Sequence, residues 1–327
     1  MRRSPSSWLA ALACVGAAVP LVAQTSGDLT TGGAAFLLVP VGARASGMGQ
    51  TGVADFGTGE AAFWNPAGLA LLPESELDIH HATTFASDNT VLSGYLATPA
   101  LGVVGLAAYL VDYGSQDIVP GPQQPPVGRI TPRNIELLAS YAGTLAGALS
   151  LGVSYKLIQL RVDCSGDCTG FTLASGTTQA VDVGLQYGRR TASGLRVGLT
   201  VRHAGLDLQL ANASQADPLP TRLAAGVAYS VRLRAPPGGE PVSARVLVDS
   251  ENPCCSEVRP DLRVGGELAY GDAIRLRAGY AFLRGRPSGP SVGAGLRFGR
   301  AVIDFARVFF SSGNFDEPVY LSLRVIL

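Results

Sequence analysis

Leu149-Ser150-Leu151-Gly152-Val153-Ser154-Tyr155-Lys156-Leu157 is the stretch on which the fold turns. Leu149, Leu151, Val153, Tyr155 and Leu157 share one parity, and Ser150, Gly152, Ser154 and Lys156 share the other. Successive side chains of an extended chain point to opposite faces, so this is a strand with one greasy face and one small or polar face. The pattern recurs on either side. Val181, Val183, Leu185 and Tyr187 stand against Asp182, Gly184 and Gln186, and Leu195, Val197, Leu199 and Val201 against Arg196, Gly198, Thr200 and Arg202. Further on, Leu223 to Leu233 alternates with Arg222, Gly226, Ser230 and Arg232, and Val319 to Leu327 with Tyr320, Ser322 and Arg324.

Extended along the chain, the pattern gives about fourteen segments separated by turn signals, an even number as bacterial barrels require. They fall near 76–84, 90–97, 101–113, 134–142, 148–162, 177–187, 194–206, 221–233, 242–250, 261–270, 273–284, 291–299, 301–310 and 318–327. Alternation is weak in the third and ambiguous in the thirteenth. Connections after even-numbered segments are short, and most after odd-numbered ones are long: 114–133, 163–176, 207–220 and 250–260. A membrane barrel with short periplasmic turns and long external loops produces that asymmetry, and a soluble sandwich has no reason to. The fold class expected is therefore all-β: a transmembrane antiparallel barrel whose apolar face meets lipid. Its lumen face carries Arg196, Arg202, Arg232, Arg263, Arg275, Arg277 and Arg297, with Asp182 and Glu267. Tyr187, Tyr270, Phe298 and Phe282 stand near segment ends, where interfacial aromatics belong.

Composition agrees. Hydrophobic residues make up 47% and charged residues 15%, yet beyond the first two dozen residues no run approaches the roughly 20 apolar residues of a membrane helix. Net charge is zero, which removes the electrostatic case for nucleic acid. Residues 1–23 read as a secretory signal: Arg2 and Arg3, an apolar run from Trp8 to Val22, and Ala23 before the cleavage point. Residues 24–74 then form an N-terminal plug and 75–327 the barrel. Loss of the signal removes Cys14 and leaves Cys164, Cys168, Cys254 and Cys255 as disulfide candidates in an exported protein, with three possible pairings. No histidine lies near either pair, so a zinc site is not expected.

The least strand-like part of the mature chain is Gly33 to Ala70. Gly42, Ala43, Ala45, Ser46, Gly47, Gly49 and Gly52 let backbone pack on backbone, and Trp64-Asn65-Pro66-Ala67-Gly68-Leu69 is a turn signal. A compact Gly-rich segment ahead of a long β-run suits a plug within a lumen. The run Gly42-Ala43-Arg44-Ala45-Ser46-Gly47-Met48-Gly49, followed by Ala62 to Leu69, resembles the N-terminal signature of the PorV/PorQ group, within the FadL-like superfamily of outer-membrane barrels named for the long-chain fatty acid transporter. The resemblance is close over about forty residues and extends to the strands by pattern only. It implies a fourteen-stranded barrel closed by a hatch with an Asn-Pro-Ala turn. Members usually carry an acidic pair in mid-hatch; this chain has Ala54-Asp55-Phe56-Gly57 instead.

Enzyme signals are absent. Gly47 to Gly52 matches G-x-G-x-x-G but has neither a strand before it nor a helical period after it. His80 and His81 point to opposite faces of a strand, and no G-x-S-x-G elbow occurs. No catalytic residue, metal or cofactor is expected. Function then follows from barrel and resemblance. The first expectation is a non-enzymatic outer-membrane component of PorV/PorQ type, handling exported cargo at the cell surface beside the subunits of a type IX secretion machine. The alternative is a FadL-like channel for uptake or efflux of hydrophobic small molecules such as fatty acids; a purely structural barrel is the third. Outer-membrane lipid is a partner in every case.

Overall fold

The computed structural model describes residues 33–327 apart from 99, 170–174, 189–192, 211–215, 234, 236–238, 255–258, 286 and 311–315. The expected signal sequence lies outside the described residues, and so does Cys255. Fourteen strands run in chain order: β1 Glu76–Thr83, β2 Asp88–Thr98, β3 Gly102–Asp112, β4 Gly128–Ala146, β5 Leu149–Gly166, β6 Ser175–Tyr187, β7 Gly194–Gly205, β8 Arg222–Leu233, β9 Val242–Pro253, β10 Asp261–Tyr270, β11 Ile274–Phe282, β12 Gly289–Phe298, β13 Ala301–Val308 and β14 Val319–Ile326. Each pairs antiparallel with its sequence neighbours, and β1 closes on β14 through a register from Glu76↔Ile326 to Thr83↔Val319. The cylinder is closed, with no free edge in its wall.

The period-two pattern places residues as elementary solvation requires. Leu77, Ile79, Leu106, Leu151, Val153, Leu185, Val227, Leu276, Phe305 and Leu321 point outward and are exposed, alongside dozens of similar neighbours. A soluble monomer rarely shows an apolar patch beyond a few hundred Å². A wall greasy on every strand belongs in hydrocarbon, where a charge at mid-depth costs about 2–4 kcal/mol. Tyr187, Tyr270, Phe298 and Phe282 are exposed at strand ends. No helix among the described residues is long and apolar enough to cross a membrane; the crossing is made by strands.

Strand positions follow the sequence pattern closely, with two differences of length. β4 and β5 extend well beyond the expected 134–142 and 148–162, pairing from Ala146↔Leu149 to Gly128↔Gly166. Their outer ends rise as a ribbon past the wall, widened by a short strand, Gln116–Ile118, on Gly128–Ile130. Alternation fades there because the ribbon has left the lipid. A Cys164–Cys168 disulfide ties its tip, with Cα atoms 6.4 Å apart, and Cys254 is exposed in the β9–β10 connection. Long connections gather on this long-loop rim, and tight turns such as 147–148, 271–273 and 299–300 on the opposite, short-turn rim.

β3 alternates in burial as regularly as any strand, although its sequence does not alternate in polarity. Its inward residues Val103, Ala107, Tyr109 and Val111 are apolar because that part of the lumen is. The β2–β3 and β3–β4 ladders run without a break. Within the body of the wall the register slips once, between β6 and β7: Val181 faces Ala204 while Val183 faces Val201. The bulge turns His203 inward with a positive φ of 58°.

Candidate functional site

The lumen is filled by residues 33–72, a chain of short turns rather than a regular domain. A 3-10 turn, Ala35–Leu38, leads to helix α1, Ala43–Gly47; helix α2, Ala61–Trp64, leads to a second 3-10 turn, Pro66–Leu71. Small residues let this hatch lie against the wall with its backbone. The wall answers with glycines of inward parity on seven strands. A Cβ on Gly152 (β5) would stand 2.2 Å from the Pro66 carbonyl carbon, and one on Gly184 (β6) would overlap the Asn65 amide. On Gly198 (β7) and Gly226 (β8) it would meet Val53, and on Gly265 (β10) the Met48 carbonyl at 2.1 Å. On Gly279 (β11) it would lie 2.2 Å from the Gly49 nitrogen, and on Gly293 (β12) 3.2 Å from Gly47. These positions form a track of bare backbone in which the hatch is seated. β9, the strand inside this series without such a glycine, supplies Asp249, whose Oδ2 accepts the N–H groups of Gly52 (2.7 Å) and Val53 (3.0 Å).

Asn65 is the hub. Fully buried, it donates through Nδ2 to the Val53 carbonyl at 2.7 Å and to Leu185 of β6 at 3.2 Å, while its Oδ1 accepts the Ala67 N–H at 3.1 Å. Pro66 sits at the first position of the turn that follows, where its missing N–H leaves no orphan. Gly68 must be small because the Asp55 carbonyl would lie 2.6 Å from its Cβ. Trp64 donates to the Val41 carbonyl at 3.0 Å and lies on Gly52; Ala67 and Leu69 are fully buried. Gly42 has φ 90° and leaves room for the Glu60 carboxylate, which accepts the Arg44 and Ala45 N–H groups at 3.2 and 3.0 Å. Gly49, at φ 68°, donates to Ser291 Oγ at 2.9 Å.

Buried charge ties hatch to wall. Arg44 meets Asp55 at 2.9 Å and Glu267 of β10 at 3.1 Å; Arg245 of β9 meets Asp55 at 2.5 Å; Arg277 joins Glu267 at 2.8 Å to Asp304 at 2.6 Å. Burial works against a charged Asp55, but Arg44 and Arg245 outweigh it and hold the carboxyl below the ordinary carboxylate range. Among the described residues Glu60 makes no ion pair, and Arg44 pulls on it only from a distance. Burial, and then the Asp304 carboxylate, push it up to about 7 against the pull of its two amide donors. Phe56, beside Asp55, lies between the guanidinium groups of Arg196 (3.9 Å to the ring centre) and Arg245 (4.7 Å). On the long-loop side Arg202 donates to the Phe63 carbonyl at 2.9 Å and pairs with Glu251, which also accepts from Arg263 at 3.0 Å.

The inward arginines thus do different things. Arg196, Arg202, Arg263 and Arg277 are buried and Arg275 half-buried. Arg232 and Arg297 keep inward parity but stand at strand ends on the short-turn rim. Arg232 is exposed and lines a polar mouth of about 360 Å³ with Arg245, Glu240 and Asp272. Arg297 donates to the Gly299 carbonyl at 2.9 Å. Parity alone gave the face of each residue and not its height.

Between hatch and long-loop rim part of the lumen is apolar. Tyr109, Val111, Leu138, Ile158 and Ala180 line a chamber, and it is full. Phe36 and Leu37 enter from the 3-10 turn, the Phe36 and Tyr109 rings lie 5.8 Å apart, and Leu208 and Leu219 descend from the β7–β8 connection. Gly33 donates to Pro218 at 3.0 Å, joining that connection to the hatch. About 20 Å³ is left open at the chamber floor, room for a water or so. The floor is polar: Lys156, 1% exposed, lies 2.8 Å from Asp182, 3.3 Å from Glu136 and 3.2 Å from His203 Nδ1. Sequence reasoning did not single out this cluster. Four strands contribute to it, and the bulge that turns His203 inward has no glycine to announce it. Glu267, Asp249 and Phe56 are further contacts it did not assign to the hatch.

No family model matches the sequence, and no curated protein does. Solved structures match its shape. The Ralstonia pickettii toluene transporter TbuX superposes with a TM-score of 0.56 at 16% identity, over 88% of this chain and 98% of that one. The P. putida toluene transporter TodX gives 0.56 at 12%, over 88% and 98%. The monoaromatic hydrocarbon channel CymD gives 0.57 at 16%, over 89% and 98%. At such identities the likeness is one of fold: a closed antiparallel barrel of fourteen strands around an N-terminal segment.

Proposed function

We propose that the chain is an outer-membrane channel for hydrophobic small molecules, exported through a leader that ends at Ala23, with its long-loop rim facing out of the cell. The observation that supports this reading best is the chamber. The largest buried apolar cluster among the described residues lies on the side of the hatch a ligand from outside would reach first, and Phe36, Leu37, Leu208 and Leu219, which fill it, are residues on connections rather than on the wall. Phe36 and Leu37 sit in a four-residue 3-10 turn without a side-chain cap. Their withdrawal would leave a cavity lined by Tyr109, Val111, Leu138 and Ile158. The neighbours of known title, toluene transporters and a monoaromatic hydrocarbon channel, make a small aromatic the first ligand to try. The hatch turn Trp64–Leu69 and the packing residues Gly42, Arg44, Gly47 and Gly49 would hold the seal, and the charged lumen would keep water-soluble traffic out.

Toluene uptake by vesicles carrying the full chain tests this. It should exceed that of empty vesicles, and Phe36→Ala combined with Leu37→Ala should speed it further; no difference from empty vesicles in either case sinks the reading. The second reading, a PorV/PorQ-type barrel acting beside an export machine, is favoured by the same chamber seen as it stands. It is full, and the β3 wall has no break through which a ligand could leave sideways. The β4–β5 ribbon and the Pro-rich segment 119–127 would then be its contact surface. Co-purification of secretion subunits or cargo, with no toluene flux, would favour that account.

A further inference from the structure

The exposed arginines of the long-loop rim divide into two sets. Arg129 pairs with Asp117 at 2.9 Å, Arg133 with Asp112 at 3.0 Å, Arg161 with Asp163 at 2.5 Å and Arg307 with Glu317 at 2.6 Å. Arg259 and Arg284 are equally exposed, yet among the described residues neither guanidinium meets a carboxylate. These two converge on one groove of about 370 Å³, lined also by Pro260, Leu262, Phe282 and Leu283. Leu262 and Phe282 are partners across the β10–β11 ladder and both are exposed on the outer, lipid-facing side. The groove is held open by its own loop. Ser288 Oγ accepts the Leu283 N–H at 2.7 Å and donates to the Leu283 carbonyl at 2.9 Å, while the Arg284 N–H is bonded to Asp261 at 2.9 Å. The backbone is thereby fixed and both guanidinium groups are left available.

We infer that this groove binds a phosphate-bearing membrane lipid, its head group between Arg259 and Arg284 and an acyl chain along Leu262 and Phe282. The chemistry of the site selects that occupant. Two unpaired guanidinium groups suit a phosphate, to which arginine donates in parallel. A greasy floor continuous with the lipid-facing wall suits a chain, and the groove lies at the long-loop end of the β10–β11 ladder, where that wall meets the rim. A protein segment would meet the floor but leave the arginines in want of an acid. Free phosphate would satisfy the arginines and leave the floor wet. The inference needs the wall to face lipid and is indifferent to whether the chamber carries a ligand.

The test is native mass spectrometry of the full chain released from nanodiscs of equal parts phosphatidylglycerol and phosphatidylcholine. Retained lipid should favour phosphatidylglycerol by about thirtyfold, as two arginines at an anionic interface suggest. Arg259→Gln with Arg284→Gln should return the ratio towards that of the disc. Arg129→Gln with Arg161→Gln, which removes two rim cations already paired, should leave the preference intact. Heat-shifted gel migration shows that each variant is a folded barrel. The inference is overturned if the Arg259/Arg284 variant keeps the preference, if phosphatidylcholine is retained equally by the unaltered chain, or if excess inorganic phosphate abolishes the preference, which would leave a free-anion site only.

Discussion

Gly279→Ala is the sharpest probe of how the lumen is closed. In a strand this change is ordinarily mild, and restricting the unfolded chain would favour the folded one by about 0.4–1 kcal/mol. Here the new methyl carbon would lie 2.2 Å from the Gly49 nitrogen and 2.3 Å from the Met48 carbonyl carbon. To reach an ordinary contact of 3.4 Å, the hatch must retreat by about 1.2 Å, the difference between the two distances. That movement breaks the Gly49 bond to Ser291 and strains those of Gly52 and Val53 to Asp249. At about 1–3 kcal/mol for each buried group left without a partner, the seat loses about 3 kcal/mol or more. A loss of that size moves a seating equilibrium by over about a hundredfold, while the β10–β12 ladders are untouched. Gly266→Ala is the matched control: the neighbouring strand, the opposite face, and a nearest atom at an ordinary 3.6 Å. Bilayer conductance and protease nicking of the hatch should rise for Gly279→Ala alone, with heat-shifted gel migration unchanged. If both variants behave like the parent, the glycine track is not what seats the hatch.

Other outcomes follow from the same contacts. Asn65→Ala should loosen the hatch by about 1–3 kcal/mol through the orphaned Ala67 N–H and the lost bond to the Leu185 carbonyl, the Val53 carbonyl keeping Gln186, seen as faster nicking of an intact barrel. Lys156→Met leaves Glu136 and Asp182 buried without their cation and should cost about 3–5 kcal/mol, read as a lower urea midpoint; adding Asp182→Asn should recover part of it. Glu60 binds its proton more tightly in the seated hatch, at about 7 against an ordinary 4.5, so seating should be firmest at low pH and weaken as pH rises through that interval. Nicking compared at pH 5 and pH 8 reads this, and Glu60→Gln should flatten it; an unchanged slope would assign the effect elsewhere. Reduction of Cys164–Cys168 should speed cleavage of the ribbon tip and leave barrel melting unchanged, because the bridge spans only four positions outside the wall.

The barrel was legible because each face of most strands meets a single environment. Lipid outside and charge inside write themselves as Leu151 and Val153 against Ser150 and Ser154, and strand ends follow within a few residues. β3 lost that signature for a physical reason: its inner face lines the chamber, so Val103 and Val111 are as apolar as Val104 and Leu110 outside. The weak alternation was itself the mark of the site, and it read as noise. Glycines at 152, 184, 198 and 226 stood on the polar face without a partner to explain them, since glycine records an absence and the hatch that fills it lies a hundred residues away. Arg232 and Arg297 had the right face, but nothing in a single strand says how far along the cylinder a side chain stands. The ion pair of Arg44 with Glu267 joins residues more than two hundred positions apart, and no local pattern carries such a pairing.

Every other side-chain cation of this protein is an arginine. The lone lysine therefore gives the molecule a single ε-amine, sealed beneath the Phe36 turn. Acylating reagents added to folded barrels should find the α-amino terminus and little else, until something lifts that turn aside. One added label, counted by mass, would then time the opening of the chamber in an unaltered protein, with no engineered dye or cysteine to disturb it.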